Sequence, residues 1–447
     1  MERLISEQLK KWKISPDRKP LVLKGARQVG KTYVLQAFGK EHFSRTFYIN
    51  FEKQADFLPI FEKNLDPKRI ITELSFEFKE QINIEQDLLI FDEIQACPKA
   101  LNSLKYFCED MPELALCAAG SLLGIHLNAE ESFPVGKVDW LNMYPMTFEE
   151  FLMASEERLL LNLLQTIDPD TTIPEVAHQQ LWELLKIYFV VGGLPAVVNV
   201  YFKNKDNLFT TLLSAREKQN HLINDYYADI AKHSGKVNAM HIDRVWKSVS
   251  TQLANTQNGR ANKFRFKGVV PGIDRYQRLA NVIDWLNNAG LLIKAELLTT
   301  CQQPLAAFVK ESQFKLFMFD VGILGAMLDL SPSTIMKYDY GSYKGYFAEN
   351  FVAQMLTASD SKPLYTWQEK TAELEFLKEI NGEVIPIEVK AGKSLRAKSL
   401  KIFSDRYQPK MSVILSAENK KMDSKTRRAK IPLYFVSALK KIIISNI

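Results

Sequence analysis

The sequence predicts an α/β protein that opens with a parallel sheet, and three observations carry that expectation. Residues 25–32 read Gly-Ala-Arg-Gln-Val-Gly-Lys-Thr, a complete G-x-x-x-x-G-K-[ST] loop. The apolar run Leu21-Val22-Leu23 precedes it, and apolar residues at helical spacing from Tyr33 to Phe38 follow. Up to about residue 150, strand candidates at 20–24, 46–51, 87–92, 114–119 and 138–143 alternate with helical stretches.

The loop comes first because strand–loop–helix is the setting in which this motif holds phosphate. Gly25 and Gly30 let the backbone fold tightly, so that the N–H groups of Ala26, Arg27, Gln28 and Val29 converge at the positive end of the following helix. Lys31 then reaches the β- and γ-phosphates of a nucleoside triphosphate, and the Thr32 hydroxyl is placed to ligate Mg²⁺. ATP and Mg²⁺ are therefore the expected cofactors.

Residues 87–93 read Asp-Leu-Leu-Ile-Phe-Asp-Glu, an apolar strand that ends in two carboxylates. A buried parallel strand delivers Asp92 to the carboxyl edge of the sheet, where it can hold Mg²⁺. Glu93 can orient or deprotonate an attacking water. The strand at 114–119 ends in Gly120-Ser121, where a small hydroxyl can sense the γ-phosphate or simply cap a turn.

Together these three segments resemble the AAA-type and STAND-like P-loop ATPases. Phe133-Pro134-Val135-Gly136-Lys137-Val138, Tyr144-Pro145-Met146-Thr147-Phe148-Glu149-Glu150-Phe151, Gly192-Gly193-Leu194-Pro195, Asp229-Ile230-Ala231-Lys232 and Asp320-Val321-Gly322 narrow the resemblance. They are similar to a prokaryotic family that joins such an ATPase to an uncharacterised carboxy-terminal domain. Many relatives carry Gly-Arg where this chain has Gly136-Lys137. If that basic residue contacts phosphate, Lys137 supplies a point charge in place of a bidentate fork.

Helical periodicity dominates residues 151–235. Residues 236–335 read as helices followed by short strands, with a stop signal at Asn288-Ala289-Gly290 and a strand from Leu291 to Ala295. That order fits a winged helix, which the resemblance also implies. Arg260, Lys263, Arg265 and Lys267, interleaved with Phe264 and Phe266, can track a phosphate backbone, and Arg275 and Arg278 can enter a groove. The same module can instead pack as a lid with its charges solvated.

Residues 343–447 form the last expected domain, after an ATPase domain at 1–150. Asn381-Gly382 separates two strand-like runs and predicts a hairpin with a type I′ turn. Its register sets Ile380 opposite Glu383, Glu375 opposite Glu388, and Glu373 opposite Lys390, with these last four on one face. Facing carboxylates destabilise a hairpin unless something neutralises them, and a divalent cation would do so. The helix begun by Gly345 to Val352 can add Glu349. The order of elements and Glu388-Val389-Lys390 are similar to the PD-(D/E)xK nuclease fold, in which acidic residues hold metal and the lysine positions water. Glu375 stands where that family usually has Asp, which shifts the carboxylate by roughly an ångström. The departure favours a non-catalytic domain in which Glu373 and Lys390 form a cross-strand ion pair. Basic residues crowd the same region: Lys390, Lys393, Arg396, Lys398 and Lys401, then Lys420 to Lys430.

The 447 residues are 46% hydrophobic and 25% charged, an ordinary globular composition, and 58 basic against 52 acidic side chains leave a net charge of +6. Four cysteines without C-x-x-C spacing read as reduced thiols of a cytoplasmic protein. The amino terminus is charged and no apolar stretch is long enough for a bilayer, so no signal peptide or membrane partner is expected. The expectation is an enzyme, a P-loop ATPase that couples Mg²⁺–ATP binding and slow hydrolysis to a conformational change, acting as a nucleotide switch on its carboxy-terminal domain. The alternative is an ATP-regulated, metal-dependent nuclease. DNA or RNA, a protein partner or further copies of the chain are the partners in view.

Overall fold

The computed structural model describes residues 1–121, 135–168, 171–203, 207–234, 236–255, 263–337, 343–391, 397–423 and 425–444. It contains two compact units, Met1–Tyr144 with Asn288–Gly290, and Pro145–Asn287 with Leu291–Ile447. No described helix is long and apolar enough to cross a membrane.

The first unit runs α1 (Ile5–Ile14), β1 (Leu21–Gly25), α2 (Lys31–His42), β2 (Thr46–Asn50), α3 (Leu58–Glu62), α4 (Pro67–Phe78), β3 (Leu88–Asp92), α5 (Pro98–Asp110), β4 (Ala115–Ser121) and β5 (Asp139–Asn142). The strands form a sheet in the order β2-β3-β4-β1-β5, and every pairing is parallel. All five strand candidates are therefore present. Residues Leu88 to Asp92 are all buried, as a parallel strand covered on both faces demands. Phe91 stacks edge-on against Phe51 and Phe61 at 5.4 and 5.5 Å, filling one of those faces. Because β4 lies between β1 and β3, its tip stands between the phosphate loop and Asp92, with Ser121 in register with Gly25.

The second unit opens with helices: α6 (Phe148–Ser155), α7 (Arg158–Thr166), α8 (Glu175–Val191), α9 (Pro195–Lys203), α10 (Leu208–Ser234), α11 (Lys236–Ala254) and α12 (Tyr276–Asn288). There follow β6 (Leu292–Leu298), β7 (Val309–Met318), α13 (Val321–Met327), α14 (Pro332–Met336), α15 (Tyr343–Ser359), β8 (Leu364–Glu369), β9 (Ala372–Ile380) and β10 (Glu383–Val389). The chain ends with α16 (Lys398–Tyr407), β11 (Ser412–Ser416), β12 (Lys421–Asp423), β13 (Arg428–Pro432) and α17 (Leu439–Ile444). Among the described residues these strands make one sheet, β12-β13-β11-β10-β9-β8-β6-β7. The sheet thus runs across the boundary expected between residues 335 and 343. Most of β6 is buried, so it takes a neighbour on each edge, β7 antiparallel and β8 parallel.

The hairpin forms as its turn residues dictate. Asn381 and Gly382 both have positive φ, 51° and 77°, the requirement of a type I′ turn. Ile380 faces Glu383, and the ladder continues in that register to Phe376 opposite Ile387. Elsewhere, two of the motifs quoted above lock together. Asp320 caps α13 through the Ile323 N–H at 3.0 Å and accepts the Gly193 N–H at 2.6 Å and the Gln354 amide at 3.3 Å. Burial pushes this carboxyl up to about 6, against the pull of those donors.

Candidate functional site

Every element of the phosphate loop has a local cause. Gly25 ends β1 where a Cβ would lie 2.2 Å from the Met143 carbonyl, so the strand end admits no side chain. Gln28 and Gly30 take left-handed backbone (φ 65° and 96°), and α2 starts at Lys31 immediately after. Ala26 and Val29 are buried beneath the loop, and Arg27 reaches Glu52 at 3.5 Å. The Lys31 ammonium folds back on the loop, donating to the carbonyls of Gly25 at 3.0 Å and Ala26 at 2.9 Å. Arg3, buried just ahead of α1, donates to the Val29 carbonyl and to the Tyr144 carbonyl, each at 2.7 Å.

Asp92 meets the loop directly. The Thr32 hydroxyl donates to its Oδ2 at 2.8 Å, across 60 residues of sequence. Tyr48 and Asn50, at the end of the neighbouring β2, donate to the same oxygen at 2.7 and 3.4 Å, and the Glu93 N–H holds Oδ1 at 3.1 Å. Burial, with the Asp92 carboxylate behind it, pushes the Tyr48 hydroxyl up to about 12, so it stays a donor at neutral pH. Glu93 sits in left-handed backbone (φ 49°), and its carboxylate accepts from the Gln95 amide at 2.5 Å. A hydroxyl and a carboxylate sharing one place are hard oxygen donors of the kind Mg²⁺ takes, so Thr32 and Asp92 fit that ion. The Ser121 backbone ends β4 beside this group. Phe133 and Pro134 lie outside the described residues, and the Lys137 ammonium is on Glu109 at 2.9 Å.

The carboxy-terminal acids are arranged differently from the expectation. Glu373 does not pair with Lys390: its carboxylate is 2.6 Å from the ammonium of Lys315, and Lys390 instead bonds Glu388. Lys315, from the edge strand β7, is wholly buried and also stands 3.6 Å from Glu349. Burial pulls its ammonium down, but Glu349, Glu373 and Glu375 outweigh that and hold it well above the ordinary lysine range. Glu375 accepts the Val389 N–H at 3.0 Å. Of the acids expected to hold a metal, Glu349 stands on the Lys315 ammonium, Glu388 on Lys390, and Glu375 on the Val389 N–H, so internal donors occupy the places a divalent cation would take. No group of three or more metal-ligating side chains is found among the described residues. Lys393 and Arg396 lie outside the described residues, and Lys420 donates to the carbonyls of Asp168 and Thr171 at 2.8 and 2.7 Å.

Sequence reading missed Arg3, Tyr48, Asn50, Gln95 and Lys315. Tyr48 and Asn50 carry a signal in retrospect, as polar residues near the end of an apolar strand. Lys315, between Phe314 and Leu316, reads as an ordinary outward residue of a half-exposed strand.

The comparisons agree with this geometry at the level of the first unit. Residues 17–152 match the family model of an AAA domain, so this stretch is an AAA-type P-loop domain. Residues 183–334 match a domain of unknown function (DUF8612), and residues 344–436 another (DUF4143). No curated protein matches the chain. Among solved structures, ORC1 of Aeropyrum pernix in complex with DNA is 13% identical, over 74% of this chain and 93% of that one, at a TM-score of 0.28. AMPPCP-bound DnaA from Aquifex aeolicus is 18% identical over 64% and 87%, at 0.29. RuvB of Thermotoga maritima is 15% identical over 64% and 87%, at 0.28. Likenesses this distant carry no argument about function.

Proposed function

We propose that the chain is an ATP-binding P-loop ATPase that uses Mg²⁺–ATP binding and slow hydrolysis as a conformational switch on its second unit. The single observation that supports this reading best is the Thr32–Asp92 hydrogen bond of 2.8 Å, which joins two motifs far apart in sequence at the mouth of the loop. The N–H groups of residues 26–30 receive the phosphates, and Lys31 exchanges the Gly25 and Ala26 carbonyls for the β- and γ-phosphate oxygens. Thr32 and Asp92 would hold Mg²⁺, which when bound neutralises charge developing on the phosphates. Glu93 orients the attacking water, and its bond to Gln95 must loosen first, in keeping with slow turnover. Ser121 stands at the strand tip between the two motifs as the candidate sensor of the γ-phosphate.

The test is titration of a fluorescent ATP analogue into wild type and Lys31→Ala. Binding is expected to vanish in the variant; undiminished binding would remove the site. The nuclease alternative, through Glu349, Glu375, Glu388 and Lys390, would need a metal to take the place of the Lys315 ammonium beside Glu349 and of the Lys390 ammonium beside Glu388. Cleavage of DNA or RNA that Glu388→Ala abolishes would establish it over the switch.

A further inference from the structure

The second unit carries a cationic cleft between α11 and residues 263–267. Residues 263–267, Lys-Phe-Arg-Phe-Lys, run beside the sheet edge, with the Phe264 N–H donating to the Phe314 carbonyl of β7 at 2.9 Å. In an extended segment alternate residues face opposite ways, so the aromatic and basic side chains separate. Phe266 packs on Phe264, Tyr276 and Phe314 with ring centroids 5.5–5.9 Å apart, anchoring one side. Gln252 of α11 grips the same segment, donating to the Arg265 carbonyl at 2.9 Å and accepting its N–H at 2.8 Å.

Between α11 and this anchored segment lies a cleft of about 450 Å³ lined by Arg244, Lys247, Lys263, Arg265 and Lys267, with no acidic residue among the described residues of its lining. Among the described residues, only Lys247 of these five has a carboxylate partner, Asp243 at 3.0 Å. Five like charges fixed around one cleft repel one another, and a multiply charged anion relieves that repulsion. A second cleft of about 380 Å³ shares Lys263, Phe264 and Arg265 and extends along β7 past Ser312 and Gln313 to Glu373, whose carboxylate is held by Lys315. Five cations around one cleft suit a chain of phosphates better than a single one. The helix that a winged-helix reading would lay in a groove, α12, lines neither cleft.

We infer that this cleft binds the phosphodiester backbone of a nucleic acid strand. The inference does not rest on the ATPase reading. The experiment is fluorescence anisotropy of short labelled DNA and RNA strands, single and double, with the full chain over a series of salt concentrations. Wild type is compared with Arg265→Glu/Lys267→Glu and with Lys421→Glu/Lys425→Glu, which removes as much charge from another basic cluster. Both altered pairs are on exposed positions, where folding tolerates the change. The cleft pair is expected to weaken binding by about tenfold or more and to lower the salt slope by about two phosphates, while the control pair changes little. With no nucleotide present, Lys31→Ala should bind nucleic acid as wild type does. The inference is overturned by equal losses in both charge pairs, by loss in Lys31→Ala, by free nucleotide competing as well as the strand, or by no binding at low salt.

Discussion

Replacing Lys315 by methionine tests whether the acidic cluster of the second unit is closed by its own cation. The ammonium stands 2.6 Å from Glu373 and 3.6 Å from Glu349. At an effective dielectric constant near 20, those separations correspond to gross attractions of about 6 and about 5 kcal/mol. Much of that is offset by desolvating the ammonium, and Glu373 keeps partial contact with water. What remains on removing one member of a buried charge group is a loss of about 3–5 kcal/mol. At about 2 °C per kcal/mol for a unit this size, the melting temperature falls by roughly 6–10 °C. The sign of the pH dependence is a second readout. Without Lys315 the buried Glu349 carboxylate loses its ammonium neighbour, and protonation removes the charge that ammonium had balanced. The defect should therefore shrink on acidification. Lys315→Met/Glu373→Gln should recover part of the loss, a coupling that thermal and urea melts of the four proteins would measure. A Lys315→Met chain that melts with wild type at neutral pH, or a defect that neither pH nor Glu373→Gln moves, would refute the argument.

The nucleotide site gives two further predictions. Glu93→Gln should slow ATP hydrolysis by about 10²–10⁴-fold while leaving nucleotide affinity within a small factor, as steady-state phosphate release and a binding titration would report. Arg3→Ala removes two charge-assisted bonds that hold the Val29 and Tyr144 carbonyls, and should weaken ATP binding while lowering unit stability by about 2–4 kcal/mol. Asp320 gives a pH signature. Its folded pKa of about 6 exceeds the unfolded value near 3.8, so the stability it contributes is fully present below pH 3.8 and lost as pH rises through 6. The difference is about 3 kcal/mol, and Asp320→Asn, with an amide N–H₂ opposed to the donors it must meet, should be less stable than wild type at every pH.

What could be read from the sequence follows how local each determinant is. The phosphate loop, the five parallel strands and the 380–383 turn are written in contiguous residues, because a strand–loop–helix and a type I′ turn fix their own geometry. The partners of Asp92 are less legible, since Tyr48 and Asn50 reach it only because β2 lies beside β3. The pairing of Glu373 shows the limit most clearly. Hairpin register put Lys390 opposite it, and register is a two-strand property. Lys315 arrives from β7, three strands away in the sheet, and displaces that pairing. No pattern within residues 309–318 announces that the strand is covered at Lys315.

The same group of charges bears on what a nucleotide switch can do to the second unit. Lys315 belongs to β7, Glu349 to α15 and Glu373 to β9, so one buried ammonium ties a strand of the middle segment to the helix and hairpin of the last. Sliding β6 and β7 relative to β8 would separate buried opposite charges as well as break a parallel ladder. Asp320 adds a second tie, joining the end of α8 to α13 and α15 through Gly193, Ile323 and Gln354. Both ties oppose internal rearrangement of this sheet. An ATP-driven change would therefore move the sheet and its flanking helices together, and be expressed at exposed features such as the cationic cleft along 263–267. Hydrogen exchange with and without ATP tests this. Amides of β6–β10 should keep their protection in both states, and loss of protection in β7 or β9 on nucleotide binding would show that the sheet itself is the moving part.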